Sequence, residues 1–225
     1  MTARRIVVVS AGLSVPSSTR LLADLLGEAA ERAVEARGED VEVAYVELRP
    51  LAHALADHLL TGFPTGDLKA AIDQVAHADA VIAVTPVFSA SYSGLFETFF
   101  DVLELGALDG TPVLVAATAG TARHSLVLDH ALRPLFAYLH AVVVPTGVFA
   151  ASEDFGSAGG RGDGGELQKR VDRAAAELAA LVTGRTGAGG AAPAAPRRTL
   201  VEEEFEVPTD FAELLRQASD GPPEY

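Results

Sequence analysis

The 225-residue chain contains no cysteine, which excludes disulfides, thiolate metal sites, iron–sulfur clusters and a cysteine nucleophile. Basic side chains are scarce as well. Lys and Arg number 17 against 31 Asp and Glu, for a formal net charge of −14. Binding nucleic-acid phosphates requires clustered Lys and Arg, so no nucleic-acid partner is expected. Half of the excess is local, because residues 200–225 hold eight acidic side chains against Arg216 alone. This acidity reads as solubility rather than recognition. No window approaches the roughly 18 uninterrupted apolar residues of a membrane span, and the apolar run after Arg4 and Arg5 is too short for a signal sequence. The expectations are no membrane partner and a cytoplasmic location.

Several motifs are missing too. There is no G-x-x-x-x-G-K-[ST], so nucleoside triphosphate hydrolysis has no support. No acidic cluster follows the first apolar run, as a phosphorylated receiver would need, and no G-x-G-x-x-G marks a dinucleotide fold. Ser10, Asp101 and His124 supply the residue types of a hydrolytic triad, but the G-x-S-x-G elbow is absent. His53, His58, His77, His130 and His140 lack metal-ligand spacing, and no metal site is expected.

What is present alternates between buried strands and amphipathic helices. Strands are expected at Ile6–Val9, Val41–Leu48, Val81–Val84, Pro112–Ala117 and Ala141–Phe149, the second more exposed and suited to an edge. Helices are expected at Leu21–Ala36, from an Asp67 N-cap to about Ala78, at Leu95–Leu105, at Ser125–Leu139 and at Glu166–Thr183. This alternation implies an α/β fold, a flavodoxin-like five-stranded parallel sheet in the order 2-1-3-4-5 with helices on both faces. The fold would occupy residues 1–183, with Ser152–Gly165 as a mobile loop. Residues 184–199 have linker composition. In the acidic tail, 200–225, Phe211, Leu214, Leu215 and Ala218 have the spacing of a short amphipathic helix, expected to dock on its own domain or a neighbouring subunit.

Three loops at strand ends carry the candidate chemistry, since open α/β sheets bind ligands at their carboxyl edge. After the first strand, Ser10, Ser14, Ser17, Ser18 and Thr19 precede a helix whose start could cradle a phosphate, with Arg20 adding charge; Ser17 or Ser18 could instead simply cap it. After the third, Pro86, Val87, Phe88, Ser89 and Ser91 form a slot for a planar group, with Pro86 stiffening the turn and Gly94 letting the next helix pack closely. After the fourth, Thr118, Gly120 and Thr121 offer a polar rim, and His124 invites a role as acid or proton relay, or as a loop-orienting residue. A phosphate cradle, a flat slot and a polar rim together describe a flavin mononucleotide (FMN) site.

Through Ser10 and Ser17–Arg20, through Pro86–Phe96 with Asp101, and through Thr118–Ser125, the sequence resembles the NAD(P)H-dependent FMN reductases of flavodoxin-like fold. These include the flavin-reductase components of two-component alkanesulfonate monooxygenases. The resemblance covers about residues 5 to 183, and it implies that the three loops bind the FMN phosphate, the isoalloxazine ring and the ring's polar edge in that order. It implies NADPH or NADH as hydride donor, a flavin-dependent monooxygenase accepting reduced FMN, and a homodimer or homotetramer. The sequence departs from the family pattern in three places: Glu97 stands where Lys is usual, Phe88 where Tyr is usual, and the first-loop glycine and serine spacing is altered around Gly12 and Ser14. Two alternatives stay open, an FMN-containing quinone, azo or metal-oxyanion reductase and a flavodoxin-like electron carrier without turnover.

Overall fold

The computed structural model describes residues 3–155 and 164–184. Strands β1 (Arg4–Ser10), β3 (Ala80–Phe88) and β5 (Pro112–Ala119) form the centre of the sheet, and their Val- and Ala-rich runs are buried on both faces. Beside them β2 (Val41–Glu47) is only partly covered, as its alternation implies for an edge. All these pairs are parallel. The path runs β2-β1-β3-β5 and on to the last expected strand, which is the expected order with two departures. The last expected strand is split into β6 (Val142–Val143) and β7 (Val148–Ala151), both parallel to β5. Pro145 lies in the gap and has no N–H to give to a ladder. In addition β4 (Ser91–Tyr92) turns back antiparallel on the end of β3, so the sheet counts seven strands rather than five.

Each face of the sheet is covered by its own apolar layer. Ile6 and Val8 point to one side with Leu22, Leu26 and Val34 of α1 (Ser18–Glu35) and Val171, Leu178 and Val182 of the Gly164–Gly184 helix. Val7 and Val9 point to the other side, toward Leu55, Leu68 and the aromatic group Phe96, Phe99, Phe100 and Phe136. Full burial of each such side chain contributes about 1.5–3 kcal/mol before entropy is counted. Gly27 lets α1 descend onto β2: a Cβ there would sit 2.3 Å from the Tyr45 hydroxyl.

Helix boundaries shift in ways the local chemistry explains. The segment 52–61, missing from the expected elements, forms α2 (Ala52–Thr61) behind a short 3₁₀ turn started by Arg49 and Pro50. Thr65, not Asp67, is the N-cap of α3 (Gly66–Ala76), and Asp67 sits in the first turn where its charge suits the helix dipole. The helix α4 (Gly94–Asp101) stops short of Leu105. Gly94 meets nothing within 4 Å where a Cβ would be, so it mediates no close packing. The expected helix at Ser125–Leu139 is composite, with a π turn over Leu128–Leu132 leading into α5 (Arg133–Tyr138). Pro134 cannot donate within a regular helix, and the Arg133 amide reaches back to the Leu128 carbonyl. Asp129 and Arg133 form the expected ion pair at 2.9 Å. Ser152–Phe155, expected to start a loop, is a single helical turn, α6; α7 is the Gly164–Gly184 helix. Gly164 and Gly165 of that loop and Gly184 of the linker belong to α7, and residues 156–163, the rest of the linker and the acidic tail lie outside the described residues.

Candidate functional site

The carboxyl ends of β1, β3 and β5 are neighbours in the sheet, which brings the three candidate loops to one edge. Ser10 closes β1 and is 2% exposed, and its Oγ is buried without a hydrogen-bond partner. An unpaired buried hydroxyl is costly, and binding sites are where such groups are retained. The chain then folds tightly on itself: a Cβ on Gly12 would lie 2.2 Å from Ser17 Oγ and 3.3 Å from Thr19 Cβ. Ser17 is the N-cap of α1 and accepts from the Arg20 amide at 3.2 Å. Ser14 and Ser18 are exposed on the outside of the loop.

Thr19 faces inward. Its hydroxyl is 2.8 Å from that of Thr118 at the end of β5, and both residues are 3% exposed. This contact joins the first and third loops across 99 positions of sequence. Arg20 is directed elsewhere. Its guanidinium pairs with Asp24 at 2.7 Å and with Glu47 of β2, and lies 4.7 Å over the ring of Tyr45. Partial burial opposes its charge, but the two carboxylates more than offset this and raise its proton affinity above the ordinary arginine value. Two negative groups therefore already neutralise the one cation of the first loop.

The slot loop is a β-hairpin. Val87 pairs with Tyr92 and Phe88 with Ser91, which leaves Ser89 and Ala90 as a two-residue turn. Both have positive φ, 49° and 65°, the hand that matches strand twist in tight hairpins. Neither is Gly or Asn, so the turn stores about 1–2 kcal/mol per residue. Pro86 and Val87 are half-buried and Phe88 is 49% exposed at the edge. The hairpin is held from below by Thr85, whose buried hydroxyl donates to the Pro86 carbonyl at 2.9 Å and accepts from the Ser93 amide at 3.0 Å. Ser93 in turn caps α4 through Phe96 N. Sequence reasoning passed over Thr85 and Ser93 as supports; a Ser directly before an apolar helical run was the available signal for the latter. Tyr92 packs 5.8 Å from the Phe96 ring, and its hydroxyl donates to Glu97 at 3.4 Å. Burial, then the neighbouring carboxylates of Glu97 and Asp101, push its phenol above the ordinary tyrosine range.

Beyond Thr118, Gly120 and Thr121 are exposed, and a 3₁₀ turn at Ala122–His124 follows. His124 is exposed and lines an open cleft of about 370 Å³ with Ala90, Ser91, Arg123, Leu126 and His130. A second depression, about 300 Å³, lies at the sheet edge among Tyr45, Glu47, Leu51 and Asp67 and carries two carboxylates. The first adjoins the hairpin, and the second sits beside the edge strand, away from β3 and β5. The loops fit FMN by two observations: a buried hydroxyl awaiting a partner at Ser10, and a loop at Gly12 with no room for a side chain.

The chain is similar in sequence and fold to known proteins. The chain is 37% identical over 184 residues to "FMN reductase (NADPH)" of Pseudomonas aeruginosa, covering 81% of this chain and 94% of that one. It is 39% identical to "NADH-dependent FMN reductase SfnF" of Pseudomonas putida, over 67% and 79% of the two chains. A solved oxidoreductase from Corynebacterium diphtheriae superposes with a TM-score of 0.77 at 51% identity, covering 82% of this chain and 99% of that one. A WrbA-like flavodoxin from Agrobacterium tumefaciens, 17% identical, superposes with a TM-score of 0.56 over 81% and 99% of the chains and bears on the fold alone, which is flavodoxin-like. The model of the family described as NADPH-dependent FMN reductase matches residues 4–156. With the three loops gathered at one edge of this sheet, the chain belongs to the NADPH-dependent FMN reductase family.

Proposed function

We propose that this chain, an NAD(P)H:FMN oxidoreductase, supplies reduced FMN to a flavin-dependent monooxygenase. The observation that carries the reading is the buried Thr19–Thr118 contact between the first and third loops, with the buried, unpaired hydroxyl of Ser10 at the end of β1 beside it in the sequence of the first loop. Ser10, Ser18 and Thr19, with the backbone amides at the start of α1 and the Ser17 cap, would hold the FMN phosphate. Arg20 joins them only by releasing Glu47 or Asp24. Pro86, Val87, Phe88, Ser89 and Ser91 would support the isoalloxazine ring, with Thr118, Gly120 and Thr121 at its polar edge. Bound flavin supplies the hydride-accepting chemistry. The protein's part is to orient, to exclude water with Val87 and Phe88, and to leave the face above Ser89–Ser91 clear for a second ring.

No side-chain acid or base is needed for that transfer, and His124 is not assigned one. The partner reading draws on SfnF, named as an NADH-dependent FMN reductase, and on the small residues of the hairpin, which leave room for exchange of a flavin rather than a permanent sandwich. Assembly into a homodimer or homotetramer belongs to the same proposal and is tested by light scattering. The functional test is oxidation of NADPH and NADH by purified protein with and without added FMN. Turnover that rises with free FMN supports the reading. Turnover that depends on a quinone and ignores free flavin would replace it, and no oxidation under any condition would remove it.

A further inference from the structure

The cleft between the β3–β4 hairpin and the helical segment after β5 is unusual for so acidic a chain. Arg123, His124 and His130 line it, and no carboxylate does. Most basic side chains of the described residues are neutralised: Arg4, Arg20, Arg32, Lys69, Arg133, Lys169, Arg170 and Arg173 all sit in ion pairs. Arg123 is exposed and forms no ion pair or hydrogen bond among the described residues. Asp129, beside His130 in sequence, is already engaged by Arg133 at 2.9 Å. A guanidinium left without a carboxylate keeps its planar fork of donors for a phosphate, which it can bind through two parallel bonds. The two histidines add donors, and charge when protonated.

The position selects the ligand. Ala90 and Ser91 belong both to this cleft and to the hairpin, so the cleft is continuous with the surface where a second ring would lie. The depression at the sheet edge carries Glu47 and Asp67 and would repel an anion. A hydride donor whose nicotinamide rests on the hairpin must carry its phosphates past the rim. We propose that Arg123, assisted by His124 and His130, binds the phosphates of the pyridine dinucleotide. The inference rests on the reductase reading above and adds to it the seat of the donor's anionic end. The phosphates concerned are either the bridging diphosphate, common to NADH and NADPH, or the 2′-phosphate of NADPH alone.

Arg123→Gln and Arg123→Glu separate these cases. With FMN saturating, KM for the dinucleotide rises about tenfold in Arg123→Gln and further in Arg123→Glu, as expected for loss of a charge-assisted contact. Over the same change kcat moves less than about twofold, because the contact is made in ground and transition states alike. Equal loss for NADH and NADPH assigns the diphosphate; loss for NADPH alone assigns the 2′-phosphate. Calorimetric titration of NADP⁺, NAD⁺ and adenosine 2′,5′-bisphosphate into the FMN-loaded protein reads binding without turnover, and Arg123→Lys restores part of the affinity. Unchanged dinucleotide affinity in Arg123→Glu overturns the inference and leaves the reductase reading intact, as does a loss confined to FMN affinity. Failure of the wild-type protein to oxidise either dinucleotide strikes at the reductase reading instead, and the titration then decides the site by itself.

Discussion

Replacing Ser10 with Ala separates a binding hydroxyl from a structural one, because the two roles give opposite signs in the free and loaded protein. Ser10 ends β1 between Glu47 of β2 and Val84 of β3, is 2% exposed, and its Oγ has no partner. A hydroxyl buried in this way costs about 1–3 kcal/mol relative to a satisfied one. Ser10→Ala removes that penalty at nearly constant volume, so the flavin-free protein gains about 1 kcal/mol, or roughly 2–4 °C in Tm for a domain of this size. If the hydroxyl donates to the FMN phosphate, the same substitution removes a charge-assisted bond worth about 1.5–3 kcal/mol and raises Kd tenfold or more. The stabilisation conferred by saturating FMN shrinks by the corresponding amount. Thermal unfolding followed by circular dichroism, with and without FMN, and a fluorescence titration of FMN measure both arms. A drop in stability of the flavin-free protein refutes the claim that the hydroxyl is unsatisfied. Unchanged FMN affinity refutes its assignment to the phosphate.

The buried Thr19–Thr118 pair predicts strong coupling: Thr19→Val and Thr118→Val each strand the other hydroxyl and cost about 1–3 kcal/mol, while the double variant costs less than their sum. Urea midpoints of the four proteins in the cycle check this, and strict additivity would show that the bond contributes nothing. Glu177 of α7 accepts from the Thr146 amide and hydroxyl, both at 2.7 Å. Partial burial opposes its charge, but these bonds and Arg173 prevail and hold its pKa below the ordinary value of 4.5. Its folded pKa being depressed, the carboxylate's stabilisation is complete above that value and is lost as pH falls through the folded pKa. Glu177→Gln therefore destabilises the protein at neutral pH by about 1–2 kcal/mol and flattens the acid limb of stability against pH. Unfolding midpoints measured from pH 7 downward test it, and parallel curves for variant and wild type would contradict it.

The elements legible in the sequence are those whose signal is local. Ile6–Val9, Val81–Val84 and Pro112–Ala117 are uninterrupted apolar runs, and each lies within a central strand. Alternation at Val41–Leu48 marked the edge correctly, since an edge strand is covered less. The hairpin tip was not legible, because Ser89 and Ala90 carry no preference for positive φ and adopt it only when β4 pairs with β3. The division of the last strand followed from Pro145, a signal present in the sequence but outweighed there by the apolar residues on both sides. The Thr19–Thr118 contact had no local signal at all, since it depends on α1 starting beside the end of β5.

Arg20 and Arg123 illustrate how tertiary structure reassigns charge that sequence proximity had assigned. Arg20 follows a row of hydroxyls at a helix start, and on that pattern it is the natural phosphate cation. The strand that lies beside β1, however, ends in Glu47, and α1 carries Asp24 one turn on, so the guanidinium is drawn across Tyr45 and its charge is met twice over. Removing either acid would free it only in part. Arg123 lies in a short turn with no acid at helical spacing on its own segment, and the cleft it lines holds two histidines, Ser91 and apolar residues but no carboxylate. In a chain with a net charge of −14, cations that remain unpaired among the described residues are a minority, and no carboxylate lines the cleft at Arg123. It follows that FMN phosphate would be bound chiefly by uncharged donors, hydroxyls and amides, which bind without a large salt dependence. The mobile donor would be bound through a charged contact that weakens as salt rises. Such a division suits a reductase that must release the oxidised dinucleotide after each hydride transfer while keeping the geometry of the flavin pocket fixed.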